Sequence, residues 1–153
     1  MNPTLWQAEI RDVQFGKHVT CVSPCNLYGC SIGDNCFVGP FVEIQQGVII
    51  GNRCRVQSHS FICEKVVIGN DCFIGHGVMF VNDLFTQGGP SGNSDHWKPT
   101  HIGNNVSIGS NATILPVSIA DNVVIGAGAV VTRNITAPGI YAGNPAKKIR
   151  SLP

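Results

Sequence analysis

The chain has 153 residues, a net charge of +1 and 18 glycines, and its length is typical of one domain. Only 12% of its residues are charged, about half the globular norm of roughly 25%, and this excludes a bundle of solvated helices. The balanced charge favours neither nucleic acid nor an anionic membrane as a partner. No apolar run reaches the ~20 residues of a membrane span, and no signal peptide opens the chain, so we expect a cytoplasmic protein.

The seven cysteines are predicted to be structural thiols. Their number is odd, no secretory signal precedes them, and no Cys-x-x-Cys pair provides the spacing of a zinc site. We therefore expect no metal and no disulfide.

A six-residue repeat organises the chain. It begins with Val13 and Val19, passes through a degraded unit near Cys25, and becomes regular from Ile32. Counting in sixes, the large apolar position is then held by Ile32, Val38, Ile44, Ile50, Val56, Ile62, Ile68, Ile74 and Phe80. Glycine commonly follows this position, as at Gly33 and Gly51.

A period of six does not match the 3.6-residue repeat of an α-helix, and it favours short strands separated by turns. Three such strands would close one triangular coil of eighteen residues. The sequence therefore predicts a single all-β domain over residues 1–153, a parallel β-helix of about six coils. Cys36, Cys54 and Cys72 are successively eighteen residues apart, so we expect them to stack at one inward corner.

Two segments interrupt the repeat. The first, at about 82–101, reads NDLFTQGGPSGNSDHWKPTH and is predicted to be a loop inserted between coils. The repeat resumes at Ile102 and continues to Val131. The second segment is a short C-terminal tail at about 133–153, where Pro138, Gly139 and Pro145 are expected to end strand geometry.

The hexads, with IGAGAVVT at 125–132 and YAGNPAKKIR at 141–150, resemble the hexapeptide-repeat acyltransferases, which fold as left-handed parallel β-helices. The stretch QSHSFICEKVVIGNDCFIGHGVMFVNDLF at 57–85 is similar to N-acetyltransferases that act on nucleotide-linked 3-amino sugars. By this resemblance the protein is an enzyme that uses acetyl-CoA to acetylate a UDP- or dTDP-linked amino sugar in surface-polysaccharide (lipopolysaccharide or O-antigen) precursor biosynthesis. The resemblance also implies a homotrimer with active sites between subunits.

The same resemblance implies that acetyl-CoA lies along the C-terminal coils. The positions that match the family's cofactor contacts are Gly109, Ala127, Gly128, Asn144, Pro145, Lys147 and Lys148. Lys147, Lys148 and Arg150 form the only basic cluster of the sequence, and such side chains can donate charge-assisted hydrogen bonds to a phosphate.

The predicted catalytic residues are Asn82, His76 and His59. The two histidines lie on adjacent coils one residue off the eighteen-residue register, so they can share one side, and either could act as a base near neutral pH. The Asn82 amide could accept from the sugar amine or orient it.

Predicted substrate-binding residues are Asp83, Glu64 and Phe85, with Glu43 as a further candidate. Either Phe85 or Trp97 could stack on a uracil or thymine base.

Three alternatives stay open. The first is an O-acetyltransferase of the same superfamily, which would need a stronger base because a hydroxyl is far less acidic than an ammonium group. The second is a γ-class carbonic-anhydrase-like zinc enzyme, since His59, His96 and His101 have a spacing similar to that of the ligands in that family. The third is a scaffold without activity. The Tyr-Pro-Arg string expected after Asn82-Asp83 is replaced here by Phe85 to Gly89, which leaves the identity of the sugar and nucleotide open.

Overall fold

The computed structural model describes all residues, Met1–Pro153, and consists of short parallel strands wound into a triangular coil. Face A contains β1 (Ile10–Arg11), β4 (Asn26–Tyr28), β7 (Glu43–Ile44), β10 (Phe61–Ile62), β13 (Met79–Phe80), β16 (Thr113–Ile114) and β19 (Val130–Val131). Face B contains β2 (Gln14–Phe15), β5 (Ser31–Ile32), β8 (Ile49–Ile50), β11 (Val66–Ile68), β14 (Thr100–Ile102) and β17 (Ser118–Ile119). Face C contains β3 (Thr20–Cys21), β6 (Phe37–Val38), β9 (Arg55–Val56), β12 (Phe73–Ile74), β15 (Ser107–Ile108), β18 (Val123–Ile125), β20 (Gly139–Ala142) and β21 (Lys147–Arg150).

The predicted left-handed parallel β-helix is confirmed, with six complete coils and a seventh that is nearly complete. The seventh coil contains β19, a parallel bridge from Ile119 to Ile135, and β20. The chain has no helix with the length and apolar character that crossing a membrane requires.

The C-terminal segment is more regular than the sequence predicts. Gly139 does not end strand geometry, because it begins β20 and pairs in parallel with Val123. Pro138 lies in the corner before this strand, where the coil needs no backbone donor. Strand β21 then folds back antiparallel on β20, placing Tyr141 opposite Lys148. The segment after about 133 is therefore the last coil followed by a hairpin.

The hexad positions form the core, as predicted. Each two-residue strand points one side chain inward and the other outward, and the inward residues from Ile32 to Phe80 are at most 2% exposed. They stack in register between coils, for example Ile44 beside Ile62. One continuous cluster of 32 buried residues runs along the coil axis.

The three cysteines expected at one corner do stack there. The Sγ atoms of Cys36, Cys54 and Cys72 each lie 3.1 Å from a carbonyl oxygen of the following coil, to which the thiol donates. All seven cysteines are free. Desolvation by burial raises the pKa of Cys63 to about 12, which fits an unreactive structural thiol.

The inserted loop leaves the coil between β13 and β14. It ends earlier than the sequence predicts, because His101 lies in β14 and pairs with Val67 and Ser118 on face B. The only helical segment is a 3-10 turn at Ser94–His96. The base of the loop is closed by the Lys98 amide, which donates to the Asn82 carbonyl at 2.8 Å. The Lys65 ammonium holds the loop against the coil by donating to the carbonyls of Ser94 and Trp97 at 2.5 and 3.2 Å.

Candidate active site

The predicted site residues surround the outer surface of face A. This surface is built from the outward residues of successive strands, which pair in the order Glu43, Phe61, Met79 and Thr113. Turns border it on both sides. We call the turns between faces C and A the C–A corner (39–42, 57–60, 75–78, 109–112 and 126–129) and those between faces A and B the A–B corner (45–48, 63–65, 81–99, 115–117 and 132–134).

The two candidate histidines lie together on the C–A corner, as their spacing predicts. His59 has a left-handed backbone with φ of 63°, and its ring stacks on Phe41 with centroids 4.9 Å apart. His76 lies one coil further on, where its backbone carbonyl accepts from the Asn111 amide at 2.8 Å. Both histidine side chains are exposed, and neither ring has a hydrogen-bond partner in the chain. Their nitrogens can therefore bind or exchange a proton with a ligand.

The same corner continues into the residues matched to acetyl-CoA. Gly109 lies directly against the next coil, where an added Cβ would come within 2.5 Å of the Ala127 nitrogen. Gly128 has a φ of 69° and open space around it. Ala127 is an exposed residue, and its amide donates no hydrogen bond within the chain. This part of the C–A corner therefore has small side chains and a free backbone N–H donor. Both suit an extended ligand with amide carbonyl groups.

Four cations lie near the C-terminal end of the coil. Lys147, Lys148 and Arg150 are exposed on β21. Arg133, which the sequence analysis did not select, joins Pro145 and Lys147 around a concavity of about 270 Å³. The only ion pair of the chain is Arg53 with Asp71, so these four side chains have no carboxylate partner and are available to an anionic ligand. The sequence analysis did not select Arg133 because this residue begins the segment read as a tail and lies apart from the basic cluster at 147–150.

The opposite border of face A contains Asn82. Its amide Nδ2 donates to the Glu64 carbonyl at 3.2 Å, which fixes the side chain and leaves its Oδ1 without a partner. Asp83 organises the loop, because its two oxygens accept from the amides of Phe85 and Ser91 at 3.0 and 2.6 Å. Phe85 is 57% exposed. The Trp97 indole lies in the loop, and its buried Nε1 has no partner.

A chain of polar side chains that the sequence analysis did not find runs across the N-terminal coils of face A. Arg11 Nη1 donates to Asn26 Oδ1 at 3.2 Å, and Asn26 Nδ2 donates to Glu43 Oε2 at 3.3 Å. Gln45 Nε2 donates to the other Glu43 oxygen at 3.0 Å. The residues come from three coils, and only the stacking of the coils brings them together. Each side chain is oriented by its neighbour, so the surface is preorganised.

Tyr28 lies beside this chain. Its ring is covered by the Arg11 guanidinium, 4.5 Å from the ring centre. Burial and the nearby carboxylates of Glu43 and Glu64 raise the pKa of the Tyr28 hydroxyl. The phenol therefore stays protonated and can donate a hydrogen bond at neutral pH.

A single subunit does not bring the two borders of face A together. No cavity of the chain is lined both by His59 or His76 and by Asn82. The zinc alternative requires His59, His96 and His101, and these lie on the C–A corner, in the loop and on face B. No three His, Cys, Asp or Glu side chains within the chain are grouped as metal ligands.

Seven stacked coils with hexad cores, interrupted by one loop beside an exposed polar surface, define a hexapeptide-repeat β-helix. The family model described as bacterial transferase hexapeptide (six repeats) matches residues 29–64, and the hexapeptide repeat of succinyl-transferase matches residues 99–133. A search of curated protein sequences gave no match.

Several solved structures with a similar fold are described as acyltransferases. An AntD variant, an N-acyltransferase from Bacillus cereus in complex with dTDP and coenzyme A, has a TM-score of 0.79 at 22% identity, covering 94% of this chain and 86% of AntD. A galactoside acetyltransferase in complex with coenzyme A has a TM-score of 0.68 at 30% identity, covering 80% and 64%. The acetyltransferase VCA0836 from Vibrio cholerae, complexed with acetyl coenzyme A, has a TM-score of 0.67 at 23% identity, covering 82% and 72%. The present chain thus contains matches to two hexapeptide-repeat transferase models and shares its fold with these acyltransferases.

Proposed function

We propose that this protein transfers the acetyl group of acetyl-CoA to the amino group of a UDP- or dTDP-linked amino sugar, at C3 by its resemblance to 3-amino-sugar N-acetyltransferases. It would work in the cytoplasm, on a precursor of a surface polysaccharide. The observation that carries the proposal is the arrangement around face A. The C–A corner on one side of this surface contains His59, His76 and the small residues Ala127 and Gly128, which suit coenzyme A. The other side contains Asn82 with its unpaired Oδ1.

The coenzyme A part of the proposal rests on the C–A corner. The amide of the exposed Ala127 can donate to a pantetheine carbonyl, and the open space around Gly128 lets the ligand approach the backbone closely. Arg133 and Lys147 border one concavity and provide charge-assisted donors for phosphate groups, while Lys148 and Arg150 add exposed positive charge on β21. AntD, VCA0836 and the galactoside acetyltransferase are each described in complex with coenzyme A or its acetyl form, which supports the same ligand here.

In the reaction the sugar amine nitrogen forms a bond to the thioester carbon, and the carbon–sulfur bond then breaks to release coenzyme A. The amine loses one proton, which the departing thiolate can take. The Asn82 Oδ1 can accept a hydrogen bond from the amine and hold it at the thioester, and positioning of this kind supplies a large part of many rate enhancements. A sugar ammonium releases its proton readily near neutral pH, so His76 is not essential for an amine acceptor.

We further propose a homotrimer with its active sites between subunits. Because no cavity of one chain includes both borders of face A, the C–A corner of one subunit would face the loop of its neighbour. Mass measurement by light scattering tests this, and a monomer that turns over substrate would contradict it.

The direct test of the reaction is thiol release from acetyl-CoA with a panel of UDP- and dTDP-linked 3-amino and 4-amino sugars. We expect turnover with at least one of them. The proposal fails if none is acetylated while the protein still binds acetyl-CoA. Substrates with a hydroxyl in place of the amine form the comparison series, and turnover of these alone would favour an O-acetyltransferase.

Asn82→Ala should lower kcat/KM at least tenfold, about 1.4 kcal/mol of transition-state stabilisation, because it removes the free Oδ1 acceptor. His76→Ala should retain more activity than Asn82→Ala if the acceptor is an amine. An inactive His76→Ala with an unaffected Asn82→Ala would show that a histidine base carries the reaction. Thermal unfolding of each variant separates loss of chemistry from loss of the loop, since Asn82 also bonds to Glu64.

A further inference from the structure

The C–A corner contains one residue that its backbone conformation does not favour. Successive coils place Phe41, His59, Gly77, Asn111 and Gly128 at the same turn position, with φ between 60° and 69°. Glycine and asparagine adopt this left-handed conformation readily, whereas for a bulky side chain it is an outlier. Turns at the other corners adopt the same conformation, for example at Arg53 and Lys65, so the fold imposes it and the choice of phenylalanine at this exposed position needs another reason.

Burial does not explain the phenylalanine. Phe41 is 56% exposed, so its ring contributes little to the core in return for the strained backbone. One neighbour of the ring is His59, stacked with an interplanar angle of 21°. The result is a flat aromatic surface presented at the border of face A.

A cavity of about 200 Å³ lies against Phe41, and its walls combine apolar surface with a polar edge. Ala8, Pro24 and Val42 supply apolar atoms, while Asn26 and Glu43 supply the polar ones. This volume is below the ~300–1,000 Å³ of pockets that enclose a drug-sized ligand, and it suits one planar ring.

The polar edge is fixed before any ligand arrives. Arg11 holds the Asn26 Oδ1, and Asn26 in turn holds Glu43. Asn26 keeps one free N–H and one free lone pair, and Glu43 keeps further lone pairs. Such an edge complements an imide, in which one N–H donor lies beside carbonyl acceptors.

We propose that Phe41, Asn26 and Glu43 form the subsite for the base of the nucleotide-linked sugar, and that the base is an imide pyrimidine, uracil or thymine. The inference rests on the proposed function and adds the part of the substrate that Phe41 binds. Phe41, His59 and His76 lie on three successive coils, which are spaced about 4.8 Å apart. If the base stacks on Phe41, the rest of the nucleotide can extend along the C–A corner toward His76 and toward Ala127 and Gly128, the residues proposed to contact acetyl-CoA.

The test is calorimetric titration of the full chain with UDP, dTDP and CDP. We expect UDP or dTDP to bind at least tenfold more tightly than CDP, because cytosine lacks the imide N–H. Phe41→Asn should raise the Kd for UDP or dTDP at least tenfold, a loss of about 1.4 kcal/mol in binding free energy. The same substitution should raise the melting temperature, because asparagine tolerates the left-handed backbone. Phe73→Asn, which removes an exposed ring from face C, is the control and should leave UDP and dTDP binding unchanged.

Three results would overturn the inference. The first is unchanged binding of UDP and dTDP by Phe41→Asn. The second is weaker binding of these nucleotides by Phe85→Asn instead. The third is dissociation of the oligomer by Phe41→Asn, which would make Phe41 an interface contact. Kinetics separate this inference from the proposed function. If Phe41→Asn acetylates a nucleotide-linked sugar with the same KM as the unchanged protein, the base subsite is wrong and the proposed function stands. If no sugar of the panel is acetylated but UDP or dTDP binding still depends on Phe41, the acetyl-transfer proposal is wrong and the base subsite stands.

Discussion

Two corners of the same coil are built on different chemistry. At the turns between faces B and C, which we call the B–C corner (33–36, 51–54, 69–72, 103–106 and 120–122), the side-chain oxygen of each Asn or Asp accepts from the backbone amide of the preceding coil. This ladder runs through Asp34, Asn52, Asn70, Asn104 and Asp121 with distances of 2.6–2.8 Å. The stacked cysteines lie on its inner side. The C–A corner has no comparable ladder and exposes Phe41, His59 and His76.

The difference indicates how one turn geometry serves two purposes. At the B–C corner a side-chain oxygen of each coil pairs with a backbone amide of the preceding one, so substitutions in this ladder should act on stability. At the C–A corner the side chains of His59 and His76 have no hydrogen-bond partner in the chain, so substitutions there should act on ligand binding. The following substitutions test this division.

The largest effect is expected for Gly51→Ala at the B–C corner. An added Cβ would lie 2.6 Å from the carbonyl oxygen of Gly69 in the next coil, and the backbone must move to relieve the clash. We expect a loss of about 1–3 kcal/mol in the free energy of unfolding, measured by urea denaturation. Gly128→Ala at the C–A corner is the counterpart. Open space surrounds Gly128, so only its left-handed backbone opposes the change, at about 1 kcal/mol. Equal losses would show that the close contact of Gly51 with the next coil does not set the cost.

A smaller effect is expected for Asn70→Ala, which removes one step of the ladder. The amide of Asn52 would lose its 2.7 Å acceptor while remaining partly buried, which costs about 1 kcal/mol. Asn70→Asp keeps an acceptor oxygen at the same place, as Asp34 and Asp121 do naturally, and should restore most of the stability. A destabilised Asn70→Asp would show that the ladder depends on the amide nitrogen as well. Acetyl transfer per folded molecule should be the same in both variants.

The fold could be predicted from the sequence because every hexad repeats the same physical requirement. A large inward residue such as Ile44 or Ile62 and a small one such as Cys54 recur at fixed positions, and stacking the coils buries them together. The ends of the interruptions were less accurate. His101 reads as part of a Gly- and Pro-rich segment but pairs on both sides in β14, and Gly139 begins a strand. In both places pairing with neighbouring coils outweighs local composition.

The candidate site was only partly accessible to sequence reasoning. Histidines on adjacent coils could be placed on one corner by counting, since the repeat converts sequence separation into position. The network of Arg11, Asn26 and Glu43 has a weaker signal. Asn26 and Glu43 pair at one strand position, but Arg11 pairs with Tyr28 at another, and Asn26 belongs to the degraded part of the repeat near Cys25. The strain at Phe41 is a property of its φ angle, which the sequence does not specify.

The smallest effect is expected for the ion pair of Arg53 with Asp71, which joins two successive coils on the outside of the B–C corner through contacts of 2.6 and 2.8 Å. The hydrogen bond from Arg53 lowers the pKa of the Asp71 carboxyl. A lowered pKa means that the stabilisation is present above the pKa of the unfolded state and is lost as the pH falls through that of the folded state. Both side chains are well exposed, so water and salt screen the pair. Asp71→Asn should therefore shift the urea midpoint slightly at pH 7 and low salt, with no shift in 1 M salt. A large shift that persists in salt would mean that the outer surface of the B–C corner contributes to stability as much as its inner ladder.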